Sequence, residues 1–211
     1  MSDSADLDLL VRVRDALGLV VAADDAPPRC EPGPPDRSAL LPAEGRDAAA
    51  RRWLAWWRAA LALDAAGRTE EPPPGEEAFL AWVRARSVAW DAVGSPPAFA
   101  ALGDAPALRD AVVHLFPEAR RALAAREADR ARRLHRRAEA DDRRALAEDV
   151  ARTHGVGIGD VRGALLVVSV AGPWWRIVAP GAVVCSASDY ADDAAFATEV
   201  VRAAFESGLR A

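Results

Sequence analysis

The chain contains no lysine, no asparagine and no glutamine. All 27 basic residues are therefore arginine. The glycine-rich stretch "GVGIGDVRG" lacks the lysine a P-loop needs to reach phosphate, and its Gly155-x-Gly157 start follows no strand pattern, so no dinucleotide fingerprint is read there. With no side-chain amide, nothing can read adenine in the bidentate way of Asn or Gln. Isoleucine occurs twice (Ile158, Ile177) and tyrosine once (Tyr190). Residues with AT-rich codons are scarce, while Ala, Arg, Gly, Pro and Asp abound, the pattern of a GC-rich genome. An arginine cluster carries less information here than elsewhere, because arginine is the only strong cation available.

Cysteine is scarce too. Cys30 and Cys185 lie far apart and suggest no disulfide framework. The three histidines, His114, His135 and His154, sit at no metal-ligand spacing with one another or with a cysteine. No metal and no cofactor are expected. The start, "MSDSADLDLL", is acidic and lacks the apolar run of a signal peptide. The longest apolar run, Gly163 to Trp175, is interrupted by Gly172 and Pro173 and is too short to span a bilayer. The expectation is a cytoplasmic protein without a membrane partner.

What is present suits a single compact domain. The chain has 211 residues, half of them hydrophobic, with a mild net charge of −5 that points to no particular partner. Residues 6–17 predict a first helix. Residues 24–46, rich in Pro, Asp and Gly, read as a long loop, more floppy than functional. Residues 47–66 form the strongest helical pattern, apolar most of the way round with Trp53, Trp56 and Trp57, and so are expected to be buried on several sides. Residues 76–90 predict a helix with Phe79, Trp82, Val83 and Trp90 near one face. Asp104 predicts the cap of a helix through Phe116, with Pro106 in its first turn. Residues 117–154 are strong helix formers with few large apolar side chains, a long exposed helix or two with a break near Asp141–Asp142. The segments "ALLVVSV", "WWRIV" and "AVVCS" read as strands joined at Gly172-Pro173 and Pro180-Gly181. Asp189 or Asp192 then opens a final helix that Gly208 ends.

The expected fold is α+β and helix-dominated, with a C-terminal three-stranded antiparallel meander followed by a helix. Its parts are a Trp-rich helical lobe (1–116), an Arg-rich helical segment (117–154) and a small β unit (155–211). The strands are apolar on both faces, which requires cover on both sides. The tryptophan helix is the expected cover for one of them.

Three functional readings compete. The stretch 150–165, "VARTHGVGIGDVRGAL", has the small-residue, Gly and Val spacing of a helix-turn-helix. Upstream, residues 120–137 carry eight arginines against Glu127 and Asp129, a charge that suits phosphate. Against this winged-helix-like DNA binder stand the glycines of the would-be recognition helix and the acidic residues interleaved beyond position 137. A thiol enzyme would pair Cys185 with His154 and Asp189, but Cys185 sits in an apolar strand, where cysteine is usually an inert hydrophobe. The leading reading is a non-catalytic interaction or accessory protein whose partner the sequence does not identify. Its candidate contact residues are Arg132, Arg133, Arg136 and Arg137 with Trp174 and Arg176. On "WWRIV", Trp175 and Ile177 share one face while Trp174 and Arg176 share the other. The face with the arginine is expected to meet water, which assigns Trp175 to the core and Trp174 to a margin. Cys185 is expected to be inert and Cys30, in the loop, to be reactive.

Overall fold

The computed structural model describes residues 5–94, 98–140 and 142–209. Helix α1 (Ala5–Ala16) lies at the centre. It packs against α2 (Arg46–Thr69), α4 (Pro106–Ala140) and the first strand. Leu7, Leu10 and Leu17 are buried as their spacing predicts, but so are Leu9, Val11 and Val13 on the other sides. Asp8, Arg12 and Arg14 are buried with them. Charged groups this deep need partners. Asp8 pairs with Arg130 of α4 and accepts from the backbone N–H of Ser169. Arg14 donates to the carbonyls of Pro27 and Pro28, and Arg12 donates to the carbonyl of Pro32 at 3.5 Å.

Those bonds correct the expectation of a floppy loop at 24–46. Loop carbonyls left unpaired by secondary structure accept from the two buried guanidiniums. Asp15 accepts from the Cys30 backbone N–H, and Cys30 forms an isolated antiparallel bridge with Val170. Arg58 of α2 holds Asp25 through two hydrogen bonds of 2.6 and 2.8 Å. The segment is a strap, fixed at several points along its length. Cys30 is consequently buried, not exposed, and donates to the Pro32 carbonyl.

The three strands are β1 (Ala164–Val168), β2 (Trp175–Ala179) and β3 (Ala182–Ser186), in the order β1-β3-β2. β2 and β3 form the expected hairpin, but β1 pairs parallel to β3, with Leu166 opposite Val184. The sheet is mixed, not an antiparallel meander. A meander would place β2 in the middle. β2 carries Arg176, and its Ile177 is 52 % exposed, so it suits an edge. β3 carries no charge and is buried along its whole length, the signature of a strand covered on both faces. The residues between β1 and β3, including β2 itself, are long enough for the crossover that a parallel pair needs.

Both faces are covered. Leu166, Val168, Ala182 and Val184 join the core of α1 and α2. Leu165, Val167, Val183 and Cys185 pack on α7 (Ala194–Ser207) and on Tyr190 of α6 (Ala187–Asp192). The cap of α7 is Asp193, which accepts from the N–H groups of Ala195 and Phe196; neither Asp189 nor Asp192 fills that role. Gly208 ends the helix as expected. A Cβ there would come within 2.9 Å of the Gly181 backbone and still closer to the Arg162 carbonyl, so only glycine lets α7 end against the hairpin turn.

Helix α4 does not stop at Phe116 but runs through Pro117. Proline removes the hydrogen bond to the carbonyl four residues back, that of Val113, a residue that is 44 % exposed. Helix α5 (Arg143–His154) follows, capped by Asp142; the predicted break partner Asp141 lies outside the described residues. Among the described residues no helix is long and apolar enough to cross a membrane.

Candidate interaction surfaces

The arginines of 120–137 do not form one patch. Arg126, Arg130, Arg133 and Arg137 recur at helical spacing and share one side of α4. Arg130 on that side is buried, bound to Asp8 and to the Val167 carbonyl. Arg133 reaches Asp129 at 3.4 Å and Asp192 at 3.8 Å. Arg132 turns outward and pairs with Asp129 at 3.3 Å. Arg136 is exposed and Arg137 is half-buried. Arg130 is the one arginine of this run that is buried among the described residues, and sequence reasoning did not single it out. Its signal was available: an arginine between Arg126 and Leu134, on the stripe where a helix packing on a sheet would carry a leucine.

This side of α4 borders a cleft of about 460 Å³, lined chiefly by Glu31, Arg126, Asp129, Arg133, Ser169 and Ser188. It lies past the carboxyl ends of the parallel pair β1 and β3, a common place for ligands in sheets with parallel strands. Its lining carries both signs of charge, so it defines no single ligand class. Ser188 is already bonded to Asp189 at 3.1 Å.

The two hairpin tryptophans exchange the roles expected of them. Trp174 is buried, joined to the α1–α2 core, with its backbone paired to Ser186. Trp175 is half-buried against the α7 side, and its indole N–H donates to Glu199 at 3.2 Å. The face assignment by alternation stands; the inference from Arg176 does not. The Trp174 face is the one beneath α2. Arg176 reaches water because it sits on an edge strand, where it donates to the Trp175 carbonyl.

Residues 150–165 do not form a helix-turn-helix. Gly155 closes α5 in a left-handed conformation, and Ile158–Asp160 makes only a single 3-10 turn before β1 begins. No second helix is there to enter a groove. Cys185 is fully buried, and burial pushes its thiol up to about 12. His154 is exposed on α5, 3.9 Å from Glu206. Burial also raises the Cys30 thiol, with Arg12 pulling the other way. Among the described residues no cluster of His, Cys, Asp or Glu could hold a metal ion.

Among the described residues, four exposed large apolar side chains lie together on one element, α3 (Glu76–Val93). None of its residues is buried. Phe79, Leu80 and Val83 are each more than 40 % exposed, and Val88 is 67 % exposed. The Phe79 ring stacks on Trp82 at 6.0 Å. The helix is held to α2 by Arg86, whose guanidinium lies over the Trp82 ring and close to Gly67, and which reaches Glu70 at 3.7 Å. At its far end the Trp56 indole donates to the Val93 carbonyl. The sequence named Phe79, Trp82, Val83 and Trp90 as one face; Trp82 and Trp90 are half-buried, whereas Phe79 and Val83 face water. No family model, no curated protein and no solved structure matches the chain.

Proposed function

We propose that this protein is a non-catalytic interaction protein and that α3 is its main contact surface. The observation that carries the reading is an eighteen-residue helix with no buried residue, on which Phe79, Leu80 and Val83 lie side by side and exposed, with Val88 exposed on another side. Contiguous exposed apolar surface on a folded chain marks an interaction site. Arg176 and Ile177 on the edge strand β2 offer a smaller second display. The DNA-binding alternative retains only the outward arginines of α4 as support. The thiol-enzyme alternative retains only its residue types.

The test is capture from native lysate by the immobilised full chain, with and without nuclease, beside two variants. One carries Leu80→Glu and Val83→Glu. The other carries Arg132→Glu, Arg133→Glu, Arg136→Glu and Arg137→Glu. The expected result is a defined protein retained after nuclease, lost with the α3 variant and kept with the arginine variant. Recovery that depends on nucleic acid and is lost with the arginine variant would favour the DNA binder instead.

A further inference from the structure

The polarity of α3 is arranged about a point. Glu76, Leu80, Val83 and Ser87 recur every four, three and four residues, so they form one narrow stripe along the helix. Read in either direction the stripe is polar, apolar, apolar, polar. All four residues are exposed. The stripe lies roughly a quarter turn from the side that carries the half-buried Trp82, Arg86 and Val93, so docking on α2 leaves it open.

The charges beside the stripe have the complementary arrangement. Glu77 and Arg84 each follow a stripe residue and therefore flank it on the same side. Neither makes an ion pair among the described residues. Glu77 lies two residues farther from the midpoint of the stripe than Arg84, on the opposite side of it, and the two carry opposite signs. A two-fold axis across the helix turns the apolar pair onto itself and brings each charge to within about 3 Å, along the helix, of its opposite. Self-complementarity of this kind is what an isologous interface requires.

We propose that α3 is a self-association surface, resting on the reading of α3 as the contact surface, and that its occupant is the α3 of a second copy of this chain lying antiparallel to it. The axis passes between Ala81 and Trp82. Leu80 of one copy then meets Val83 of the other, and Glu77 meets Arg84 twice. A parallel pair would bring the two acidic first turns, Glu76 and Glu77, together and align the two helix dipoles. Flanking charges choose orientation in paired helices, and here they choose the antiparallel one. The seam is short, so the dimer belongs with small, transient interfaces, not obligate ones.

Sedimentation of the purified full chain from micromolar to millimolar concentration tests this. The expected result is a reversible monomer–dimer equilibrium. Leu80→Glu should weaken it by about tenfold or more, and thermal denaturation should show that variant folded, because the position is exposed. Glu77→Arg and Arg84→Glu should each weaken the dimer, and the two together should restore it. A chain monomeric throughout overturns the proposal, as does a dimer indifferent to Leu80→Glu or a double charge variant no tighter than the singles. If the chain stays monomeric while α3-dependent capture of another protein persists, the second copy is ruled out as occupant and the contact reading survives. Loss of both removes both.

Discussion

Helices α2 and α3 are neighbours in the chain, both rich in alanine and tryptophan, and opposite in fate. α2 buries Trp53, Trp56 and Trp57 completely or nearly so, with Ala49, Ala50, Ala60 and Leu61 around them. α3 buries nothing. The difference is not in appetite for cover but in supply. α2 touches α1, all three strands and α3, whereas α3 touches α2 and the short turn at Ala100–Leu102. The linker with Pro72, Pro73 and Pro74 folds α3 back along α2, but only one side of it finds protein. An apolar helix with one neighbour still has surface to cover, and a second molecule can cover it.

The comparison breaks most clearly at Trp53. Its ring stacks on Trp57 at 5.9 Å, its N–H donates to the Leu10 carbonyl at 2.8 Å, and Arg14 lies over its face. Trp53→Ala is expected to cost about 3–5 kcal/mol, as a large core truncation does, read by chemical denaturation. Equivalent loss from an aromatic truncation on α3 would show that α3 is core after all.

The hairpin tryptophans sharpen the contrast within adjacent residues. Trp174→Ala should destabilise by about 3 kcal/mol, near the low end for a buried tryptophan. Trp175→Ala should cost clearly less, because that ring is half-buried. Its N–H bond to Glu199 is exposed to solvent. A larger loss at Trp175 than at Trp174 would mean that Trp175, not Trp174, is the core ring.

On α3 itself, Leu80→Ala should change the stability of the monomer by no more than about 0.5 kcal/mol, the range of surface substitutions. Measured at low protein concentration, a larger loss would mean that the stripe is already covered within one chain. The smallest effect is at Cys185. With its thiol pushed up to about 12, the thiolate is scarce at neutral pH, so a thiol reagent should leave it unmodified until the protein unfolds. Rapid labelling of the native protein would instead indicate an open, lowered-pKa thiol and revive the enzyme reading.

Much of the architecture was legible because it rests on local patterns. The helices at 6–17, 47–66 and 76–90, the three strands, and the end of the last helix at Gly208 follow from periodicity and from glycine and proline positions. So did the need for cover on both faces of the sheet, since Leu165 and Leu166 are adjacent and both apolar. The errors arise where a non-local partner decides. The loop at 24–46 has no apolar period, yet it is fixed by arginines of α1 that a propensity reading leaves at the surface. Pro117 reads as the start of a new segment, but α4 continues through it, giving up the hydrogen bond to the carbonyl of the exposed residue Val113. Trp174 shares a face with Arg176, but one charge on an edge strand does not describe the whole face.

The sequence by itself determined the α+β composition, the apolar demand of the tryptophan helix and the strands, and the alternation that separates Trp174 from Trp175. These are properties of the 3.6- and 2-residue repeats. Tertiary structure alone decided that β3 and not β2 is central, that Arg130 turns inward to Asp8, and that α3 is left uncovered. Each of these depends on which surfaces the chain brings together. Pairing order and burial are set by contacts between residues far apart in sequence, and no local repeat encodes them.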